Sequence, residues 1–248
     1  MMSYLPIAPG GQVPVTAAGE LLLFSTPPAP DAVHTVLVSA ELTAVSVERE
    51  VVAALAEAAG GRLVEPRHFG EDRLVSRAVA LLRHRGQLLY DPVDGSPLSF
   101  SEDGVVAIGG EGRQIFPRVD PAVIGLVELA GEERILLGRD ATRGHFFSLI
   151  AGYVDPGENL EEAFIREVRE ETGRRVSQVA YWGSQPWAVT GSLMVGFTSV
   201  TEDEDAVSET DGELIETRWV SRGELDQLPL ARPGSIAHAM ITAWRNAL

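Results

Sequence analysis

Six glutamates, Glu158, Glu161, Glu162, Glu167, Glu170 and Glu171, stand within fourteen residues, in an order that background composition does not produce. With helical residues turning about 100° each, Glu167, Glu170 and Glu171 fall at i, i+3 and i+4 and share one face. Leu160, Ala163, Phe164 and Val168 can turn the other way and anchor the helix to a core. Like charges at this spacing repel, by roughly 0.2–0.5 kcal/mol per pair in exposed helices, so a clustered carboxylate face invites a compensating cation. Hard oxygen ligands favour Mg²⁺ or Mn²⁺, and the set reads as a divalent-metal site. Arg166 beside it can hold a carboxylate through a bidentate pair, and the same pairing fits Glu158.

From Gly152 to Gly173 the segment resembles the Nudix box, G-x5-E-x7-R-E-U-x-E-E-x-G-U with U aliphatic. Only the last position departs. Arg174 stands where the family usually has an aliphatic residue, a change expected to loosen packing after the helix without touching a ligand. A solvated acidic helix capped by Gly173 is the plainer alternative, but it leaves Gly152 and Glu158 unexplained. The resemblance implies that Glu167, Glu170 and Glu171 bridge Mg²⁺ or Mn²⁺ to phosphate oxygens and that Arg166 orients a glutamate. It also implies a further downstream glutamate that helps bind metal and catalytic water. Glu213 is its closest counterpart, with Glu216 the competitor. Glu171 and Glu213 are the candidates for general base, a choice that spacing does not settle among carboxylates with coupled titrations.

A second string, Ser184-Gln185-Pro186-Trp187 followed by Ser192-Leu193-Met194, resembles the NADH pyrophosphatase signature S-Q-P-W-P-F-P-x-S-L-M. Here Ala188-Val189-Thr190-Gly191 replace P-F-P-x. A serine, a glutamine and an indole can hydrogen-bond to and stack on a nucleotide, whereas a turn leading into a core strand accounts for the same residues. Phe116-Pro117-Arg118-Val119-Asp120-Pro121 resembles the Y-P-R-x-D-P junction that precedes the catalytic domain in that subfamily. Counted back from it, the four zinc cysteines of the family fall on Asp91, Asp94, Ile108 and Glu111. That donor set suits Zn²⁺ poorly, so no zinc is expected, and Asp91 and Asp94 read as turn residues that cap backbone donors.

By the same resemblance Phe116 lies near the bound nucleotide and Tyr153 stacks on a substrate ring, with ordinary core packing the alternative for each. Ala237, in Pro233-Gly234-Ser235-Ile236-Ala237, marks a segment whose backbone approaches the nucleotide at a helix N-terminus. The resemblance covers about residues 72–248 and implies a homodimer that splits NAD(H) into nicotinamide mononucleotide and AMP, with NAD-capped RNA 5′ ends as an extended substrate. A Nudix enzyme for ADP-ribose or another nucleoside diphosphate derivative is the nearer rival, favoured by the missing P-F-P. A non-enzymatic nucleotide sensor is the further one, and the intact carboxylate set argues against it.

The elements that must position these groups follow from periodicity. An α/β fold is expected: a smaller N-terminal α/β domain over 1–85, a degenerate zinc-ribbon-like linker over 86–117, and a Nudix domain over 118–248 with a mixed sheet sandwiched by helices. Strands are predicted at 20–25, 34–42, 122–129, 134–138, 178–183, 192–200 and 214–220, and helices at 46–59, 71–85 and 235–246, beside that of the acidic segment. The stretch Thr201–Asp205 is expected to be a solvated loop. With 248 residues, 45% of them hydrophobic, two domains are the better expectation. A net charge of −16 argues against a sequence-independent grip on nucleic acid. No cysteine occurs, which excludes disulfides, thiolate metal sites and thiol nucleophiles. Neither a leader nor a run of eighteen apolar residues is visible, so a cytoplasmic location away from membranes is expected.

Overall fold

The computed structural model describes residues 2–28, 34–70, 72–142 and 144–247. Contacts divide the chain into two units, residues 1–119 with 187–191 and residues 120–186 with 192–248. In the first, strands β1 (Ser3–Ile7), β2 (Val13–Val15), β3 (His34–Ser39) and β4 (Leu42–Ser46) precede helix α1 (Arg49–Ala58), strand β5 (Arg62–Val64) and helix α2 (Arg73–Gln87). The sheet order is β1-β4-β3, with β1 parallel to β4. Leu5, Ile7, Val36, Val38 and Ala44 bury against Val75, Ala78, Val79 and Leu82 of α2, whose first turn is capped by the Asp72 carboxylate.

Two expectations change here. The strand predicted over 34–42 is two strands of a hairpin whose turn at Ala40-Glu41 carries no glycine, proline or asparagine to signal it. The strand predicted over 20–25 reduces to two isolated bridges, Leu21 with Val15 and Phe24 with Tyr4. Ala29 and Pro30 of the proline-rich spacer that follows it, Glu71 at the start of the predicted second helix, and Met1 lie outside the described residues. Strands β1 and β2 escape a periodicity reading because each holds a proline, which edge positions tolerate.

A three-stranded ribbon follows, β6 (Ser99–Phe100), β7 (Ala107–Ile108) and β8 (Gln114–Ile115). The Asp91 carboxylate accepts from the Val93 amide at 2.8 Å, and that of Asp94 from the Ser96 amide at 2.8 Å, the turn-capping role expected of both. Beyond that role, Arg113, between β7 and β8, reaches back to this turn through 2.5 Å to Asp91, whose side chain is fully buried, and 3.6 Å to Asp94. Gly109 and Gly110 make room: a Cβ there would stand 1.9 Å from an Asp91 oxygen and 2.2 Å from an Asp94 oxygen. A guanidinium thus cross-links the ribbon. Arg113→Met should cost about 2 kcal/mol in urea unfolding, below the figure for a fully buried pair because Arg113 is partly exposed. The double variant Arg113→Met/Asp91→Asn should recover part of the loss.

The second unit carries β9 (Asp120–Leu129), β10 (Arg134–Asp140), β11 (Ile150–Tyr153), α3 (Leu160–Thr172), β12 (Ser177–Trp187), β13 (Ser192–Thr201), β14 (Leu214–Ser221) and α4 (Ile236–Asn246). The sheet runs β12-β13-β9-β10-β14, with β11 paired to β9; β13 is parallel to β9 and the β9–β10 and β10–β14 pairs are antiparallel, so the sheet is mixed. Alternation along β9 sends Val123 and Val127 to α3 and Ile124 and Leu126 to α4, which sandwiches the sheet as the sequence implied. Leu160, Ala163, Phe164 and Val168 face that core. Gly125 has a steric reason, since a Cβ there would stand 2.1 Å from the Phe164 ring, which itself stacks on Phe197 at 5.6 Å. No helix among the described residues is long and apolar enough to cross a membrane.

Candidate active site

The acidic helix starts and stops where its sequence dictates. The Asn159 side chain accepts from the Glu162 amide while the Glu162 carboxylate accepts from the Asn159 amide, a reciprocal cap. Gly173 ends the helix at φ 70°, a conformation that favours glycine. Between these ends Arg166 distributes its five N–H donors. Two go to Glu158 at 2.7 and 2.9 Å, one nitrogen serves Glu167 at 3.0 Å and Glu170 at 2.8 Å, and the last N–H reaches the Tyr153 carbonyl at 3.0 Å. The loop and the helix face are therefore tied through one guanidinium. Its hydrogen bonds hold the Glu158 carboxyl below the usual range. Burial pushes the Glu167 carboxyl up, Arg166 pulls it down, and the charges of Glu170 and Glu213 push it up again.

Gly152, which spacing alone left without a physical reason, is the residue against which Glu167 lies. A Cβ on Gly152 would stand 2.0 Å from the Glu167 carboxyl carbon. Glu171 is buried at 4% exposure, whereas Glu170 and Glu213 are exposed. The segment carrying Glu213 is pinned to the end of α3: Asp211 donates its amide to the Glu170 carbonyl at 2.9 Å, and the Glu213 amide donates to the Asp211 carboxylate at 2.9 Å. Glu216 is engaged elsewhere, in a 2.6 Å pair with Arg139 across the β10–β14 ladder. That pair had no sequence signal, because it depends on register.

Among the described residues no three His, Asp or Glu side chains stand together in a metal-holding arrangement. Arg166, an organic cation, takes the oxygens of Glu158, Glu167 and Glu170. The donor set itself fits Mg²⁺ or Mn²⁺: the partly buried Glu167 carboxylate feels the negative charges of Glu170 and Glu213, and all three are hard oxygen donors.

The substrate-facing candidates divide between the units. Tyr153 is half exposed and its hydroxyl lies 3.2 Å from the Ser192 hydroxyl. Ser184 accepts a weak 3.5 Å bond from Tyr181. Gln185 spends both ends of its amide on the start of α4, donating to the Gly234 carbonyl at 3.0 Å and accepting from the Ile236 amide at 2.7 Å. Ala237 is buried in that helix's first turn. Trp187 and Phe116 group with the first unit, where Phe116 is 64% exposed and Ala188 packs on the β1-β4-β3 core.

Two expectations are corrected around the helix end. Arg174 does not loosen the packing; it is 8% exposed and donates to the Thr172 carbonyl at 2.9 Å and to the Glu204 carbonyl at 2.8 and 3.2 Å. The stretch Thr201–Asp205 is not simply solvated. Asp203 pairs with Arg175 at 2.7 Å and Glu204 with Arg134 at 2.7 Å. Two adjacent arginines after the helix were the available signal.

The NUDIX domain family matches residues 119–244. The NAD-capped RNA hydrolase NudC of Mycobacterium bovis (strain BCG / Pasteur 1173P2) is 37% identical over 187 residues, covering 69% of this chain and 60% of that protein. The NAD-capped RNA hydrolase NudC of Vibrio parahaemolyticus is 33% identical over 178 residues, covering 70% of this chain and 66% of the relative. The chain therefore spans about 60% of the length of the mycobacterial relative. A solved NUDIX hydrolase from Nitrosomonas europaea aligns with 64% of this chain and 90% of its own at 18% identity and a TM-score of 0.49.

Proposed function

The chain belongs to the Nudix family, and from that premise we propose that residues 118–248 form a Mg²⁺- or Mn²⁺-dependent diphosphatase that splits NAD(H) into nicotinamide mononucleotide and AMP. The observation that carries it is the gathering of Glu158, Glu167 and Glu170 on Arg166, with Glu213 close enough for its charge to act on Glu167. The substrate rests on the similarity to proteins named NAD-capped RNA hydrolases and on the retained Ser184-Gln185-Pro186-Trp187 string. NAD-capped RNA 5′ ends are the extended substrate, a homodimer the assembly and the cytoplasm the location. No zinc is required.

Glu167, Glu170, Glu171 and Glu213 would hold the cation. When bound, it neutralises phosphate charge and eases ionisation of water. The protein's own groups do the rest. Arg166 fixes three carboxylates in place, so their placement does not have to be found at each turnover. Glu171 or Glu213 accepts the proton of the attacking water as its oxygen bonds to phosphorus; the bridging P–O bond breaks and a nucleoside monophosphate leaves. Tyr153 offers a ring face to a base. Gln185 fixes the start of α4, so that backbone near Ala237 can approach the nucleotide.

A comparison of kcat/KM for NADH, NAD⁺, ADP-ribose and diadenosine diphosphate tests the substrate. NADH is expected to lead by a modest factor, since Ala188-Val189-Thr190 forgo ring stacking worth about 1 kcal/mol, a several-fold loss of discrimination. A tenfold lead for ADP-ribose would overturn the dinucleotide assignment and leave the hydrolytic reading standing. Restoring Pro-Phe-Pro at 188–190 should then move preference back towards NADH.

A further inference from the structure

Arg174 occupies the one position of the Nudix box where this chain departs from the usual aliphatic residue, and the side chain is buried. Its guanidinium joins three segments that lie apart in the sequence. Towards the helix it donates to the Thr172 carbonyl at 2.9 Å, one of the last-turn carbonyls that lack an intrahelical partner. Towards the loop after β13 it sends two N–H groups to the Glu204 carbonyl. That carbonyl also accepts the Trp219 indole N–H at 2.8 Å, and the guanidinium lies over the Trp219 ring at 5.5 Å. Glu204 begins, and Trp219 of β14 follows, the stretch that carries Glu213, so their shared node closes a loop of fixed span.

From that node the loop runs along the end of α3. Val207 donates its amide to the Gly173 carbonyl at 2.9 Å, and Asp211 its amide to the Glu170 carbonyl at 2.9 Å. Gly173 is required at the first of these contacts, because a Cβ there would stand 2.5 Å from the Ser208 carbonyl oxygen. Two residues beyond Asp211 comes Glu213. An aliphatic side chain at 174 would donate nothing, leaving the Thr172 carbonyl without this partner and the Glu204 carbonyl with the indole alone.

We propose that Arg174 is a positioning residue: by closing the 204–219 loop on the end of α3 it sets Glu213 beside Glu167 and Glu170, and so sets the affinity of the site for a divalent cation. This rests on the reading of Glu213 as a cation-holding group. The arginine touches neither substrate nor cation. Its effect is routed through the loop, and that predicts a signature which general destabilisation lacks.

Mn²⁺ binding to the full chain without substrate, followed by the electron paramagnetic resonance of free Mn²⁺, reads this directly. Arg174→Val should weaken Mn²⁺ at least fivefold and speed amide exchange over 205–213 in the metal-free protein. Glu213→Gln should weaken Mn²⁺ to a similar degree, and Arg174→Val added to it should weaken binding no more than a further twofold, because both act through one group. Arg174→Lys, which can keep one donor, should fall between. Wild-type Mn²⁺ affinity in Arg174→Val, or losses that multiply fully in the double variant, would overturn the proposal. If Glu213→Gln alone binds Mn²⁺ normally, the reading of Glu213 fails and the proposal with it. Should Arg174→Val not fold, Trp219→Phe, which removes one donor from the same carbonyl, must weaken Mn²⁺ and speed loop exchange, and normal values of both would overturn it.

Discussion

Glu171→Gln, and separately Glu170→Gln, lowers turnover of the preferred diphosphate at least ~100-fold while the circular dichroism spectrum stays that of the parent. Removing a cation-holding carboxylate weakens both the activation of water and the neutralisation of developing phosphate charge, and losses of this order are expected when an interaction made in the transition state is removed. Folding survives because Gln keeps the shape of Glu, and the core of α3 is built on Ala163, Phe164 and Val168. The two variants also differ in an informative way. Glu170 is exposed and bonded to Arg166, whereas Glu171 is buried. Near-normal kcat in both variants at saturating Mg²⁺ would contradict the assignment of the helix face.

Gly152→Ala is the second large effect, expected at roughly 10-fold to 100-fold in kcat with a thermal midpoint within a few degrees of the parent. The methyl would stand 2.0 Å from the Glu167 carboxyl carbon. That clash falls on the far end of a flexible side chain, so the carboxylate swings away and the backbone stays. Stability is then little affected, while the cation site loses one of its oxygens at the intended place. A thermal midpoint lowered by 15 °C or more, or kcat unchanged, would show that Gly152 serves the packing of β11 and not the placement of Glu167.

Much of this site was legible in sequence because α-helical spacing is a local property. The face bearing Glu167, Glu170 and Glu171, the opposite apolar face, the cap at Gly173 and the pairing of Arg166 with Glu158 all follow from separations of a few residues. What escaped depends on contacts between distant segments. The Arg139–Glu216 pair is fixed by strand register, the two bonds of Gln185 by a helix 51 residues away, and the burial of Arg174 by a carbonyl 30 residues away. In the first unit β1 and β2 were hidden by their own prolines, and the 34–42 segment by a turn without turn residues. The Arg113 link in the ribbon was hidden as well, since a position two residues past the site of a family zinc cysteine that this chain lacks carries no pattern of its own.

The most direct measurement is product analysis after incubating the chain with NADH and Mg²⁺ or Mn²⁺ in ¹⁸O-labelled water. Reduced nicotinamide mononucleotide and AMP in equal amounts, with one ¹⁸O on the phosphate of one of them, is the predicted result, because water attacks one phosphorus and the bridging bond breaks. Release of nicotinamide with an intact ADP-ribose moiety, or no product with either cation at enzyme concentrations comparable to substrate, would contradict the account.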